Sequence, residues 1–579
     1  MKTPLSFFSL LILLCLFSCN NQPAVNKAAK NKTAKADLIL FNGTIYTVDE
    51  DLPQAEAVAM KDGKITFVGS NEDIQSWIAD ASKVIDLEGK TVYPGFIESH
   101  GHLLGLGRQK TQLELANLKS YDELVALVAE TVKTTKKGEW ILGRGWHQSK
   151  WEKIPKPSVK GFQIHDALSA VSPDNPVFLG HASGHAGFAN AKAMELAKVN
   201  SETTFTDDGE IMKDANGNPT GIFVENAEQL ITAHIPESTP ESDAKALQAA
   251  IDECLQHGIT SFQDAGSEQK DIDLYKSFLE KKQLPIRLYV MLAGWAEDDS
   301  LLQKWYANGP EIGLGDNHLT VRSIKMYSDG ALGSRGAWLL DEYSDRPAHF
   351  GNNIMEMEAI YNTASNALQN GFQVCTHAIG DKANREVLNQ YQKAFEAHPD
   401  AAKEARFRVE HAQHLSLEDI PRFAEMGIIA SIQGIHMASD RPWAIDRLGK
   451  KRIEEGADVW QKLLQAGAKV INGTDTPVEP LNPFACFYAS VTRQTLGGKP
   501  EGGYEADQKM TREQALKTYT LDAAYGSFEE TVKGSIEVGK LADFVVLDKD
   551  LMQIPSEQIL RTKVLYTIIG GEVVFEGEK

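Results

Sequence analysis

The sequence predicts an α/β protein: a (β/α)8 barrel of the TIM type, carrying a small β-sandwich built from both chain ends and an inserted α+β subdomain. Three observations point to this. Eight strand candidates alternate with helical stretches between residues 92 and 533, the pattern of a parallel sheet with crossover helices. The two flanking segments, 37–91 and 534–579, carry strand and turn signals with no helical period between them. The stretch between the first two barrel strands, residues 103–245, is too long for an unstructured loop.

The N-terminus stands apart from this body. Lys2 precedes an apolar run from Leu5 to Phe17, the length of a signal-peptide core and short of the about 20 residues of a membrane-spanning helix. Residues 1–18 therefore read as a signal peptide. The run ends in Leu16-Phe17-Ser18-Cys19, which resembles a bacterial lipoprotein signal and implies acylation of Cys19 as the first mature residue. Residues 19–36, rich in Asn, Lys and Ala, then read as a lipid-anchored tether. The expected location is the periplasmic or outer face of a bacterial membrane, with the lipid anchor as the sole contact to the bilayer.

The 579 residues carry 59 Lys and Arg against 80 Asp and Glu, a net charge of −21. Lys2, Lys27, Lys30, Lys32 and Lys35 precede the first acidic residue, Asp37, so the body holds 54 basic against 80 acidic residues, a net −26. An acidic body excludes a general nucleic-acid binder, which needs clustered cations to displace phosphate counterions. Cys254, Cys375 and Cys486 are too few and too scattered for a disulfide framework. Cys375 shares a strand face with His377, but only residue 377 reaches the strand end, which argues against the thiol as a metal ligand.

The sandwich segments contain Leu38–Gly43 and Ala57–Ile65, the latter with an Asp62-Gly63 hairpin turn, and at the other end Phe544–Leu547, Val564–Ile569 and Val573–Phe575. Neither end holds enough strands for an independent sheet, so the two are expected to pair with each other. The barrel candidates are 92–99, 259–265, 286–292, 321–329, 371–378, 406–412, 427–435 and 468–475. Within the insertion, Tyr121–Thr135 has a helical pattern, and Asp208–Asn218 is rich in turn signals.

Active sites of such barrels form at the C-terminal strand ends. The first strand ends in His100-Gly101-His102, the fourth holds Lys325, the fifth ends at His377, the sixth at His411 and the eighth at Asp475. Six such side chains at one end of five strands point to a metal site, against the alternative of six unrelated polar residues in a chain with 15 histidines.

The segments Pro94–His102, Lys325–Arg335, His377–Asp381, Glu410–His414, Gly473–Val478 and Leu541–Phe544 together resemble the amidohydrolase superfamily, and within it the YtcJ-like branch. The resemblance implies a hydrolase with one or two divalent ions, zinc above others, in which His100 and His102 hold one ion and His377 and His411 the other. It further implies that Lys325 bridges them, which an amine can do only after carboxylation, and that Asp475 serves the attacking metal-bound hydroxide as proton shuttle. The expected reaction is cleavage of a C–N bond in a small amide, N-acyl or cyclic amide. The same ligands would also serve an isomerase, dehydratase or esterase, and a non-catalytic lipid-anchored binding or regulatory protein is the remaining alternative. His436, after strand seven, is a candidate to steady the oxyanion. Asp329 and Arg335 are candidates for a polar substrate group, and Trp146, His147 and His185 for a substrate roof. A homodimer is expected by analogy alone.

Overall fold

The computed structural model describes residues 35–578, apart from 149–150, 154, 182–185, 206–208 and 295–299. The predicted signal peptide, most of the tether with Cys19, and His185 lie outside the described residues.

The eight barrel strands are Phe96–Gly101, Ile259–Ser267, Arg287–Ala293, Leu319–Tyr327, Gln373–Ala378, Arg408–His411, Ile429–Ile432 and Lys469–Asn472. They pair in chain order, every neighbour parallel. A parallel bridge between Gly101 and Thr476 brings the last strand's end back to the first. The strands are buried along nearly their whole length, as in Arg287–Ala293, because helices cover the outside and packed side chains fill the inside. Register fixes the level of the site: Tyr327 lies opposite His377, and Ala378 opposite His411.

The helix Pro240–Gln256 shows how sequence sets these crossovers. Thr239 accepts from the Ser242 N–H in a capping box, Pro240 sits in the first turn, and Leu247, Ile251 and Leu255 recur at the i+4 spacing that buries one face. That helix packs on Leu103–Lys110, the helix that begins right after His102. At Gly107 any Cβ would lie 1.9 Å from the Ala246 carbonyl oxygen, so glycine permits the approach that seats the end of strand one.

The predicted first strand divides in the structure, which corrects its boundary. Thr91–Pro94 pairs with Phe544–Leu547 and Thr44–Tyr46 in the sandwich, and only Phe96 onward enters the barrel. The two segments are alike in hydropathy, and the sequence marks the passage between layers only by Pro94-Gly95.

Of the two sandwich sheets, one has four strands, ordered Lys64–Gly69, Ala57–Lys61, Leu38–Phe41 and Lys83–Asp86. The other has six and joins both chain ends, ordered Glu572–Glu576, Val564–Ile569, Phe544–Leu547, Thr91–Pro94, Thr44–Tyr46 and Gln54–Ala55. Leu38, Val58 and Ile65 from the first meet Val92, Phe544 and Ile568 from the second in a shared core. The insertion forms a six-stranded sheet from Leu113–Glu114 to Pro219–Glu225, with the helix Tyr121–Val132 capped by Ser120.

A buried ion pair fastens sandwich to barrel. Arg287, on the third barrel strand, places Nε 2.7 Å and Nη2 2.9 Å from the two oxygens of Asp543, and its Nη1 donates to the Asp316 and Asn317 carbonyls. Arg287 raises no charge conflict there, since Asp543 is held below the ordinary carboxylate range by this guanidinium against the opposing effect of burial. Asp543→Ala leaves a buried guanidinium uncompensated and is expected to lower stability by about 3–5 kcal/mol, read from denaturant or thermal unfolding.

Candidate metal centre

The predicted ligands converge at the C-terminal mouth of the barrel. His100, His411 and Asp475 each offer a ligand atom, and these atoms lie within 4.8 Å of one another. His102 Nε2 is 3.2 Å and His100 Nε2 3.6 Å from Asp475 Oδ1. The His377 and His411 rings are 4.4 Å apart between centroids, and Lys325 Nζ lies 3.3 Å from His100 Nε2. All six belong to strand ends or the turns just beyond them.

Local backbone holds them there. His411 (φ 75°), Ala412 (φ 42°) and Asp475 (φ 59°) occupy the left-handed region, unusual for residues with a Cβ and concentrated where function constrains the chain. The Asp475 N–H donates to the His100 carbonyl at 2.8 Å, and the His102 N–H to the Thr476 carbonyl at 2.7 Å, tying the eighth strand's turn to the first strand's end. Glu98 accepts from the Thr474 N–H at 2.6 Å and from its hydroxyl at 3.1 Å. This leaves no room at residue 473, where a Cβ would meet Glu98 Oε1 at 2.3 Å; Gly473 is required.

Behind the ligands stands a buried polar layer without an assigned role in the sequence reading. Glu410 receives His100 Nδ1 at 2.5 Å. Arg408 donates to both Glu410 oxygens, at 2.7 and 3.0 Å, and to the Ser99 carbonyl, Gln263 and Ser431. His411 Nδ1 meets Gln433 Oε1 at 2.7 Å, and His102 Nδ1 the Ala265 carbonyl at 2.8 Å. These contacts orient three imidazoles with Nε2 free to face the centre, the arrangement by which outer partners fix ring orientation and tautomer. Strand alternation was the available signal, since Arg408 and Glu410 must share the inward face.

The donor set fits a divalent cation. Burial pushes the His100 imidazole down to about 4 and His377 to about 3, and His411 falls well below its usual value from the same cause. All three are therefore neutral, the form that binds metal. Burial would raise Asp475, but the His102 imidazole beside it leads the effects that hold it well below the carboxylate range. His102 alone shifts upward, Asp475 outweighing its burial. Asp475 Oδ1, 3.2 Å from His102 Nε2, and His377 Nε2, 3.5 Å from Asp329 Oδ1, are buried and make no well-aligned hydrogen bond. Poorly satisfied acceptors on an anion and neutral imidazoles are what a cation satisfies.

The other predicted residues divide. His436 is buried beside His411, its Nε2 3.9 Å from Asp475 Oδ2, within the centre. The substrate-facing reading of Asp329 is corrected. Its carboxylate is fully buried, accepts the Ile379, Gly380 and Trp338 N–H groups at 2.8–3.0 Å, clamping the turns after strands four and five, and lies 3.5 Å from His377 Nε2. Arg335 is half-buried and pairs with Asp345 at 3.1 and 2.7 Å. Trp146 is corrected to a core residue: wholly buried, its indole N–H donates to the Leu179 carbonyl at 2.7 Å inside the insertion. His147 is half-buried with its ring 4.6 Å from that of His181. Cys375 is buried against Ala265 and Met291, and its Sγ donates to Gln373 Oε1 at 3.5 Å, away from the ligand set.

Known proteins share this architecture. A solved structure of an uncharacterized metal-dependent hydrolase from Pyrococcus furiosus superposes with a TM-score of 0.73 at 26% identity, covering 89% of this chain and 100% of that one. An amidohydrolase-named protein of Bacillus subtilis (strain 168), YtcJ, is 33% identical, covering 93% of this chain and 99% of its own length. The N-substituted formamide deformylase of Arthrobacter pascens is 27% identical, covering 94% and 99%. The profile of the amidohydrolase family matches residues 83–575. With the barrel, the histidine-rich mouth and a match over most of its length, the chain belongs to the amidohydrolase family, whose fold carries metal-dependent hydrolases.

Proposed function

We propose that this protein hydrolyses a C–N bond in a small amide, N-acyl or cyclic amide. It would use one or two divalent ions, zinc best suited, held by His100, His102, His377, His411, Asp475 and carboxylated Lys325. The observation that carries this reading is the buried cluster of neutral imidazoles around the Asp475 carboxylate. Such an ion supplies two things when bound: it lowers the pKa of water from about 15.7 toward about 7 and it polarises a carbonyl.

The chain's own residues do the rest. Asp475, ionised and fixed by its backbone bond to His100, accepts the proton of the attacking water and returns it to the departing nitrogen. His436, with a free buried Nε2, donates to the carbonyl oxygen as negative charge grows there. Burial pushes Lys325 down to about 8, supplying the neutral amine that combines with carbon dioxide, releases a proton and becomes an anionic ligand. A relative named for deformylation of N-substituted formamides supports C–N cleavage over the ester, isomerase and dehydratase alternatives. The enzyme would be exported and tethered through Cys19 to a bacterial membrane, facing the periplasm or the cell surface.

The test is a screen of the zinc-loaded protein against N-alkyl formamides, N-acetyl amino acids, cyclic ureas and matched esters. Amine release that a chelator abolishes and zinc restores is the expected result. Turnover confined to esters, or none with any substrate, would overturn the reading.

A further inference from the structure

The three groups bonded to a scissile carbonyl carbon leave the centre in three directions, and the barrel mouth fixes two of them. In the hydrolase reading above, the departing nitrogen lies beside Asp475, after strand eight, from which it takes a proton. The carbonyl oxygen faces His436, after strand seven, whose Nε2 is 3.9 Å from Asp475 Oδ2. The eight strands pair in chain order and close into a ring, so strand four stands across the mouth from strand eight, equally far either way round. The acyl substituent points away from the nitrogen and is thereby directed toward strand four.

Tyr327 stands there. It is the last residue of strand four, two beyond Lys325 and so on the same inward face. Its ring centroid lies 4.9 Å from Lys325 Nζ and 5.7 Å from the ring of His377, its partner in register on strand five. On the other side its hydroxyl reaches strand two, where a Cβ on Gly266 would lie 3.5 Å from it. Strand three, between them, ends in Ala293 and Gly294, which bring nothing larger than a methyl group. The phenol therefore spans from strand two to strand five, and of Ala265, Gly266, Ser267, Ala293, Gly294 and Tyr327 it alone is bulky. It is half-buried, with part of the ring packed against the centre and part turned to the mouth. A ring packed on two sides gives way to added volume only at a cost in strain.

We infer that Tyr327 is the wall of the acyl pocket and restricts the substrate to a small acyl group, formyl or acetyl. This deepens the hydrolase reading and rests on it. Tyr327 sets specificity on the acyl side, while the amine side, near Asp475, is free of its influence.

The experiment uses two series of amides with the zinc-loaded full chain: N-butyl amides with acyl groups of one to six carbons, and formamides of amines with one to six carbons. In the wild-type protein kcat/KM is expected to fall at least about tenfold from acetyl to butanoyl, as a surplus methylene in a fitted pocket costs about 10–200-fold. Tyr327→Ala is expected to raise hexanoyl relative to acetyl by at least about tenfold, with zinc content and the order of the amine series unchanged. Tyr327→Phe keeps the ring and is expected to keep the wild-type order in both series. If Tyr327→Ala fails to hold zinc, Tyr327→Val makes the same comparison. A wild-type protein that accepts hexanoyl as readily as acetyl, an unchanged acyl order in the alanine or valine variant, or a change confined to the amine series would overturn the inference and leave the hydrolase reading standing. If the wild-type protein cleaves no amide, the hydrolase reading fails by itself, and calorimetry with acetate and hexanoate tests the wall. Hexanoate binding at least about tenfold tighter to Tyr327→Ala than to the wild-type protein supports it, and equal binding or none overturns it.

Discussion

Asp475→Asn in the zinc-loaded protein is expected to lower kcat about a thousandfold while leaving metal content nearly unchanged. The asparagine keeps an oxygen where Asp475 Oδ1 stands, 3.2 Å from His102 and 3.6 Å from His100, so the pocket retains a donor of the same size. What it loses is the capacity to take a proton, and general-base catalysis by a positioned side chain is worth about 10²–10⁴-fold. The backbone bond from residue 475 to the His100 carbonyl does not depend on the side chain, so the turn should keep its shape. Steady-state kinetics with metal analysis checks this; turnover at the wild-type rate would remove Asp475 from the proton-transfer role.

Arg408→Met is the second large effect, and it acts on stability as well as on the site. Arg408 has no exposed surface, and its guanidinium pairs with Glu410, which Arg408, His100 and Lys325 hold ionised well below the usual range despite burial. Removing it strands a carboxylate in the barrel interior and is expected to cost about 3–5 kcal/mol. The pairing R408M/E410L replaces both charges with apolar volume and should regain much of that stability. It should not regain metal affinity, because His100 Nδ1 then lacks the acceptor that now sits at 2.5 Å; losses of about 10–100-fold are typical for such partners. Denaturant unfolding and zinc titration separate the two readouts. A double variant that binds zinc as tightly as the wild-type protein would show that the pair serves folding alone.

The barrel was legible because its strands are short apolar runs between helical periods, a contrast that survives in a single sequence. Seven of the eight strands occupy the predicted places, and the error at 92–99 arose where two strands of different sheets follow one another with no helix between them. The six ligand candidates could be read because strand ends in a parallel barrel share one face, so residues hundreds apart in sequence become neighbours by topology. Direction was what the sequence withheld. Asp329 and Arg335 flank a glycine turn next to the site, yet one points into backbone N–H groups and the other to Asp345. Trp146 sits beside a histidine in a motif-like stretch, but the indole completes the insertion's core. Arg408 and Glu410 take their role from distance to His100, which strand position alone does not give.

The most direct measurement of the central claim is anomalous scattering at the zinc edge from crystals of the protein grown with zinc and bicarbonate. Strong density is expected among His100, His102, His377, His411 and Asp475, with continuous density from Lys325 Nζ if its amine is carboxylated. Zinc bound elsewhere, with these side chains left without metal in an enzyme that still hydrolyses its substrate, would contradict it.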